Sequence, residues 1–263
     1  MIRWTEEAER LLGRVPFFVR GMVKRRVERW AYDKGYDKGI EVITEELFRR
    51  AKEELVGDAS RVNRGFSVEG CMGCRHRVTD SRGLMDRMEE LLKGSGITEF
   101  LLKATGGELK HHNQFRVALS ECPNSCSRVH IADFGLQGRV VLEVDGSLCD
   151  ACGRCVDACV DGAVRCPPLE VDGSLCLACG ECARVCPSGA LSFFRTGYRV
   201  LVGGKLGRRP RLAQELVSFA TADEVLSLLG RVLRVYMEYC EKGERLGAVI
   251  ERMGWERFCS LVL

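Results

Sequence analysis

The sequence predicts an α+β protein built from differently patterned blocks, and three observations carry that expectation. Apolar residues recur at helical spacing through residues 4–56. FRVALS at 115–120 reads as a strand, and YRVLVGGKLG, from Tyr198, as a strand and a glycine turn. Between these strands lies a duplicated, cysteine-rich unit.

In the first block, Val19, Met22, Val23, Val27, Trp30 and Ala31 mark one helix face, and Pro16 begins or kinks that helix. Thr44, Glu45 and Glu46 offer an N-cap and first-turn acids to a helix carrying Leu47, Ala51 and Leu55. No cysteine, histidine or carboxylate cluster lies here, so packing or docking is the expected role. In the second block, GCMGCRHRVTDSRGLMDRMEELLKGSG is a loop feeding a helix with Leu84, Met85, Met88, Leu91 and Leu92 inward and Gly94 as its C-cap. The positive end of that helix favours thiolates at Cys71 and Cys74 just before it. The strand at 115–120 runs almost directly into CPNSC, placing Cys122 and Cys126 at a strand end. After the cysteine-rich unit, Thr221 caps a helix with an apolar face through Leu226, Leu229, Leu233 and Tyr236, and a shorter helix spans Arg245 to Met253 and ends at Gly254.

The 263 residues are 46% hydrophobic, enough for real cores, and the 40 basic and 37 acidic residues leave a net charge of only +3. No global field therefore invites nucleic acid. KRR at 24–26 and GRRPR at 207–211 are candidate phosphate patches, with a solvated helix face and a solvated loop as the plainer readings. No apolar run reaches about 18 residues, and MIRWTEEAERLL lacks the pattern of a signal peptide, so a cytoplasmic protein without membrane insertion is expected.

Fifteen cysteines in such a chain point to metal rather than disulfides. EVDGSLCDACGRC at 143–155 recurs 27 residues later as EVDGSLCLACGEC at 170–182, followed by Cys159 in one copy and Cys186 in the other. In CxxCxxCxxxC, three thiolates meet one four-iron cluster and the fourth crosses to its twin. Cys149, Cys152, Cys155 and Cys186 would hold one 4Fe-4S cluster, and Cys176, Cys179, Cys182 and Cys159 the second. Gly153 and Gly180 let backbone amides approach, and Ala151, Ala178 and Ala190 leave room for the cage. Zinc is the competing metal. Cys71, Cys74, Cys122 and Cys126 have the arithmetic of either a third cluster or a four-cysteine zinc site, which spacing alone leaves open. Cys166, Cys240 and Cys259 are left over and read as packing thiols.

Residues 142–194 resemble the bacterial two-cluster ferredoxins, except that Val160 replaces the usual proline after Cys159. The first block, with VPFFVR and AKEEL, resembles the small helical module of light-independent protochlorophyllide reductase. TDSRGL at 79–84, LSECPNSCSRVHIADFGLQG at 119–138, YRVLVGGKLGRRPRL and ERLGAVIERMGWERF together resemble the sirohaem sulfite and nitrite reductases, whose anaerobic and dissimilatory members insert a two-cluster ferredoxin. This resemblance covers about residues 66–258. It implies a helical module at 1–60, a reductase-like α/β domain at 61–141 and 195–263, and a ferredoxin insert at 142–194. It also implies a third 4Fe-4S cluster on Cys71, Cys74, Cys122 and Cys126, with Cys126 bridging to sirohaem. Arg75, Arg77, Lys110, Arg116 and Arg128 become candidates for binding haem carboxylates and anionic substrate, with His76, His111, His112 and Glu121 as proton carriers.

Three departures bear on catalysis. The first cysteine pair is CxxC where the family has a longer loop, Glu121 replaces a glycine, and the helical block stands where full reductases carry another domain. The expected function is an iron–sulfur oxidoreductase that reduces sulfite or nitrite, fed by an electron-donor protein or reductase subunit within an oligomer or complex. The alternatives are a non-catalytic, multi-cluster electron-transfer subunit and a zinc-bearing adaptor.

Overall fold

The computed structural model describes residues 3–15, 17–33, 42–56, 64–71 and 74–263, and the chain divides into two compact units, Met1–Asn63 and Arg64–Leu263. In the first unit, β1 (Arg3–Trp4) pairs in parallel with β2 (Val42–Ile43), and helices α1 (Glu6–Gly13), α2 (Phe17–Asp33) and α3 (Glu45–Val56) pack around Ala8, Leu12, Val27, Trp30, Ile43, Leu47 and Ala51. Thr44 caps α3 as expected, its hydroxyl accepting from the Leu47 N–H at 3.3 Å. The two short strands were not anticipated. Pro16 and the side chains of Val19, Met22 and Leu55, singled out above, lie outside the described residues. Lys24 of the KRR run sits 5.3 Å over the Trp4 ring and 3.9 Å from Glu9, an ordinary surface arrangement.

The second unit is mixed α and β, as predicted. Its elements are β3 (Phe66–Gly70), α4 (Arg82–Gly94), α5 (Ile97–Ala104), β4 (Phe115–Ser120), β5 (Phe134–Val144), α6 (Arg154–Ala158), β6 (Val164–Arg165), β7 (Glu170–Val171), α7 (Glu181–Arg184), β8 (Leu191–Val202), β9 (Gln214–Ala220), α8 (Ala222–Tyr239), α9 (Leu246–Met253) and α10 (Trp255–Val262). The sheet order is β3-β4-β5-β8-β9, with β3, β4 and β5 parallel and the β5–β8–β9 pairings antiparallel. Alternation along the strands buries Phe115, Val117, Leu119, Phe134, Leu136, Val200 and Val202 against α4, α5, α8, α9 and α10. A capping box starts α8, where Thr221 and Glu224 bond each other's backbone. Gly94 does not cap α4. Gly94 is the last helical residue and Ser95 the cap, and Gly96 follows with a φ of 76° that suits glycine.

Strands β5 and β8 run as a pair from Phe134–Val202 out to Val144–Leu191, and residues 145–190 form the excursion at the far end of this pair. A buried ion pair joins the sheet to the last helices. Asp133 accepts from Arg245 Nε at 2.9 Å and from the Arg116 backbone N–H at 2.8 Å, and its other bond is to Arg245 Nη2.

Candidate metal centres

Parallel β3 and β4 end side by side, Gly70 opposite Leu119, so Cys71 and Cys122 leave the sheet at the same end. The Cys71 N–H donates to Leu119 O at 3.1 Å, while its sulfur accepts from the Glu121 N–H at 3.4 Å and lies 3.6 Å from the Ser127 hydroxyl. The CPNSC turn holds Ser125 and, just beyond, Arg128 at φ values of 55° and 59°. Left-handed backbone at non-glycine residues persists only where neighbours fix it. Here Gln137 Nε2 donates to Pro123 O at 2.9 Å and to the Ser125 hydroxyl at 2.8 Å, and the Ser127 N–H donates to the Ser120 hydroxyl at 3.1 Å.

Burial pushes the Cys122 thiol up; the Asn124 N–H pulls it back, and the nearby Cys74, Cys71 and Cys126 sulfurs push it up again. Thiolates grouped this way repel one another and ionise together only around positive charge, which is what a metal centre supplies. Cys122 is buried, whereas Cys74 and Cys126 are exposed, so this set turns part of its sulfur outward.

The duplicated segment folds as two copies of one turn. Ala151 and Ala178 have φ values of 58° and 59°, Gly153 and Gly180 follow at 75° and 73°, and each glycine starts a short helix, α6 or α7. The left-handed residues curl each loop back on itself. Cys155 lies near Cys186 and Cys149, and Cys182 near Cys176, Cys179 and Cys159. Cys186 thus stands beside thiols of the first copy, and Cys159 beside thiols of the second. Burial is the first cause raising Cys155, Cys179 and Cys182, the last pushed up to about 11, with neighbouring sulfurs adding to it. Backbone N–H groups point at sulfur in both copies: Ala178 to Cys176 at 3.4 Å, Ala163 to Cys159 at 3.2 Å, and Leu191 to Cys186 at 3.4 Å.

Among the described residues no group of three or more His, Cys, Asp or Glu side chains converges tightly enough to hold a single metal ion. Cys159, Cys176, Cys179 and Cys182 line one small cavity together with Ala163 and Gly180. A cage of four irons and four sulfides spreads its cysteine ligands wider than a lone zinc, which holds each sulfur at about 2.3 Å. Four thiols lining one cavity are the donor set that a four-iron cluster takes.

The excursion touches the loop just beyond Cys74. His76, two residues beyond Cys74, lies 3.0 Å from Glu181, which adjoins Cys182, and Arg184 donates to the Arg77 carbonyl. Arg75, Arg77 and Arg128 are exposed near this set. Arg128 and Arg116 both pair with Glu69, at 3.1 and 3.5 Å. Lys110, His111 and His112 precede the opposite end of β4, a strand length of about 20 Å from Cys122. The structure does not bring them to the thiols.

The Glu121 carboxylate is buried, and its Oε1 accepts from the Ser81 N–H at 3.0 Å and the Ser81 hydroxyl at 2.8 Å, at the start of α4. Ser81 lies forty residues away in sequence, so no local pattern signals the pairing. Glu121→Ala should lower stability by about 1–2 kcal/mol in denaturant titration, and Glu121→Gln, which keeps an acceptor, by clearly less. Equal losses would remove that acceptor role. Cys166 packs against the small core of the duplicated segment, as read from the sequence, and its sulfur also lies 3.5 Å from that of Cys149. Cys240 and Cys259 pack against the core, as read from the sequence.

Residues 64–263 match the model described as "Nitrite and sulphite reductase 4Fe-4S domain", and the chain belongs to that family. Residues 4–52 match "Proto-chlorophyllide reductase 57 kD subunit". Among curated relatives, the coenzyme F420-dependent sulfite reductase of Methanocaldococcus jannaschii is 34% identical over 89% of this chain and 36% of its own length. A subunit of the anaerobic sulfite reductase of Salmonella typhimurium is 27% identical over 76% of this chain and 58% of its own length. The chain thus spans about a third to two thirds of the curated relatives it first matches. A crystal structure of dissimilatory sulfite reductase I shares the fold, with a TM-score of 0.51 and 21% identity over 83% of this chain and 57% of the other. No described helix is long and apolar enough to cross a membrane.

Proposed function

We propose that the chain is an electron-relaying oxidoreductase of the sulfite/nitrite reductase type, with a two-cluster ferredoxin insert at 142–194 between the reductase-like segments 61–141 and 195–263. Cys149, Cys152, Cys155 and Cys186 hold the cluster where electrons enter. Cys159, Cys176, Cys179 and Cys182 hold the second, and Cys71, Cys74, Cys122 and Cys126 the third. The observation that carries this order is the contact of His76 and the Arg77 carbonyl with Glu181 and Arg184, which ties the loop of the third thiol set to the helix bearing Cys182. Protein packed between neighbouring centres fixes their separation.

The residues beside Cys126 also fit sirohaem. The sulfur is exposed, and Arg75, Arg77 and Arg128 offer cations for haem carboxylates and for an anionic substrate. Bound there, sirohaem would supply the iron that takes sulfite or nitrite. The chain's part is to hold that anion and deliver charge. His76, bonded to both Arg75 and Glu181, is the proton carrier within reach of this face. The electron donor is a separate protein or subunit.

An anaerobic optical spectrum with pigment extraction tests the reading: a sirohaem band supports reduction on this chain. Intact clusters without pigment, from a host that makes sirohaem, leave the non-catalytic electron-transfer subunit. Metal analysis should give about twelve iron atoms per chain and negligible zinc. Cys152→Ser or Cys179→Ser should each remove one ferredoxin cluster and leave the third cluster's signal in place. Loss of every cluster together would make the excursion a folding requirement for the whole unit.

A further inference from the structure

Cys166 belongs to neither ligand set of the duplicated segment, yet its sulfur lies 3.5 Å from that of Cys149. The repeat makes this contact unequal between the copies. A step of 27 residues carries Cys149 onto Cys176, Cys155 onto Cys182, Gly162 onto Gly189 and Cys166 onto Phe193. The copies still run in step just before this point, since Gly162 and Gly189 share positive φ values of 66° and 75°. At Phe193 the second copy has no sulfur. Its ring packs on Gly180, where a Cβ would meet Cζ at 2.7 Å, and Arg184 stacks over it at 5.4 Å. One thiol set therefore has a fifth sulfur beside it, and the other has an aromatic wall.

We propose that Cys166 donates a hydrogen bond to the cluster held by Cys149, Cys152, Cys155 and Cys186, raising its reduction potential above that of its twin. The proposal rests on the ligand sets given under the proposed function. A cysteine bound to iron is a thiolate and has no proton to donate, so in the 3.5 Å contact only the Cys166 S–H can be the donor. Donation to a ligand sulfur stabilises the more electron-rich, reduced cluster more than the oxidised one. Two clusters of matching loop geometry thereby become unequal, and the one beside Cys166 fills first.

Anaerobic redox titration followed by electron paramagnetic resonance reads this directly on the full chain. Cys166→Ala should lower the midpoint of one ferredoxin cluster and leave the other unmoved, and the shifted cluster should be the one that Cys152→Ser removes. Cys166→Ser, which restores an O–H donor, should recover most of the shift. The proposal is overturned if neither midpoint moves, if the moving cluster is the one Cys179→Ser removes, or if serine behaves like alanine. Wild-type protein lacking both ferredoxin signals would instead overturn the ligand assignment, and this proposal with it.

Discussion

Replacing Arg245 by alanine is expected to destabilise residues 64–263 by about 3–5 kcal/mol, the usual cost of leaving one half of a buried ion pair behind. The Asp133 side chain is 1% exposed and that of Arg245 17%, so neither partner can recover much hydration when the other goes. The loss is concentrated structurally as well. Asp133 stands just before β5, and its carboxylate accepts from the β4 backbone at Arg116 and twice from Arg245, the residue just before α9. At about 2–4 °C per kcal/mol for a unit of this size, melting should fall by roughly 10 °C. Burial pushes the Asp133 carboxyl up, and Arg245 and the Arg116 N–H pull against it. Without Arg245 the upward push is less opposed. A carboxyl whose folded pKa exceeds its unfolded value binds more protons in the folded state, so its unfavourable charge is relieved on acidification and grows as pH rises through the folded pKa. The variant's deficit should therefore be largest at neutral and alkaline pH and shrink toward acid. A deficit below about 1 kcal/mol at neutral pH would mean that water reaches the aspartate.

Helices α4, α8 and α9 were legible because each carries a sustained apolar face. The strands were legible only in part. β9 is composed of QELVSFA, whose Gln, Glu, Leu and Ala suit a helix locally, and its pairing with β8 overrides that preference. β5 contains Gly135, Gln137 and Gly138, which dilute an otherwise apolar strand. Gly138 is required because a Cβ there would come within 2.4 Å of the Glu121 carbonyl, a constraint set by the tertiary fold. The iron–sulfur family was more legible, since the cysteine-rich repeat and CPNSC stand out in the sequence whatever their neighbours. What spacing could not convey was the company those ligands keep: Ser81 with Glu121, Glu181 with His76, and Cys166 with Cys149 are pairs of distant residues or of unlike motifs.

Cys122→Ser should abolish the third cluster and any bound sirohaem together, removing about four of about twelve irons while both ferredoxin signals remain. The expectation follows from where the sulfur sits. Cys122 is the buried member of its set, at 4% exposure, and serine there would present a hard hydroxyl in a pocket that already resists ionisation of the thiol. Cys126→Ser makes the complementary change at an exposed sulfur. If Cys126 is shared with sirohaem, its loss should strip pigment at least as completely as iron, whereas a plain fourth ligand would cost iron alone. Cys259→Ser is the control, since that thiol packs beside the core and should leave metal and pigment unchanged. Iron analysis, pigment extraction and paramagnetic resonance on the three variants separate the possibilities. Iron retained in Cys122→Ser with zinc lost would transfer these four cysteines to a structural zinc site, and the reductase reading would then have no centre through which the ferredoxin clusters could act.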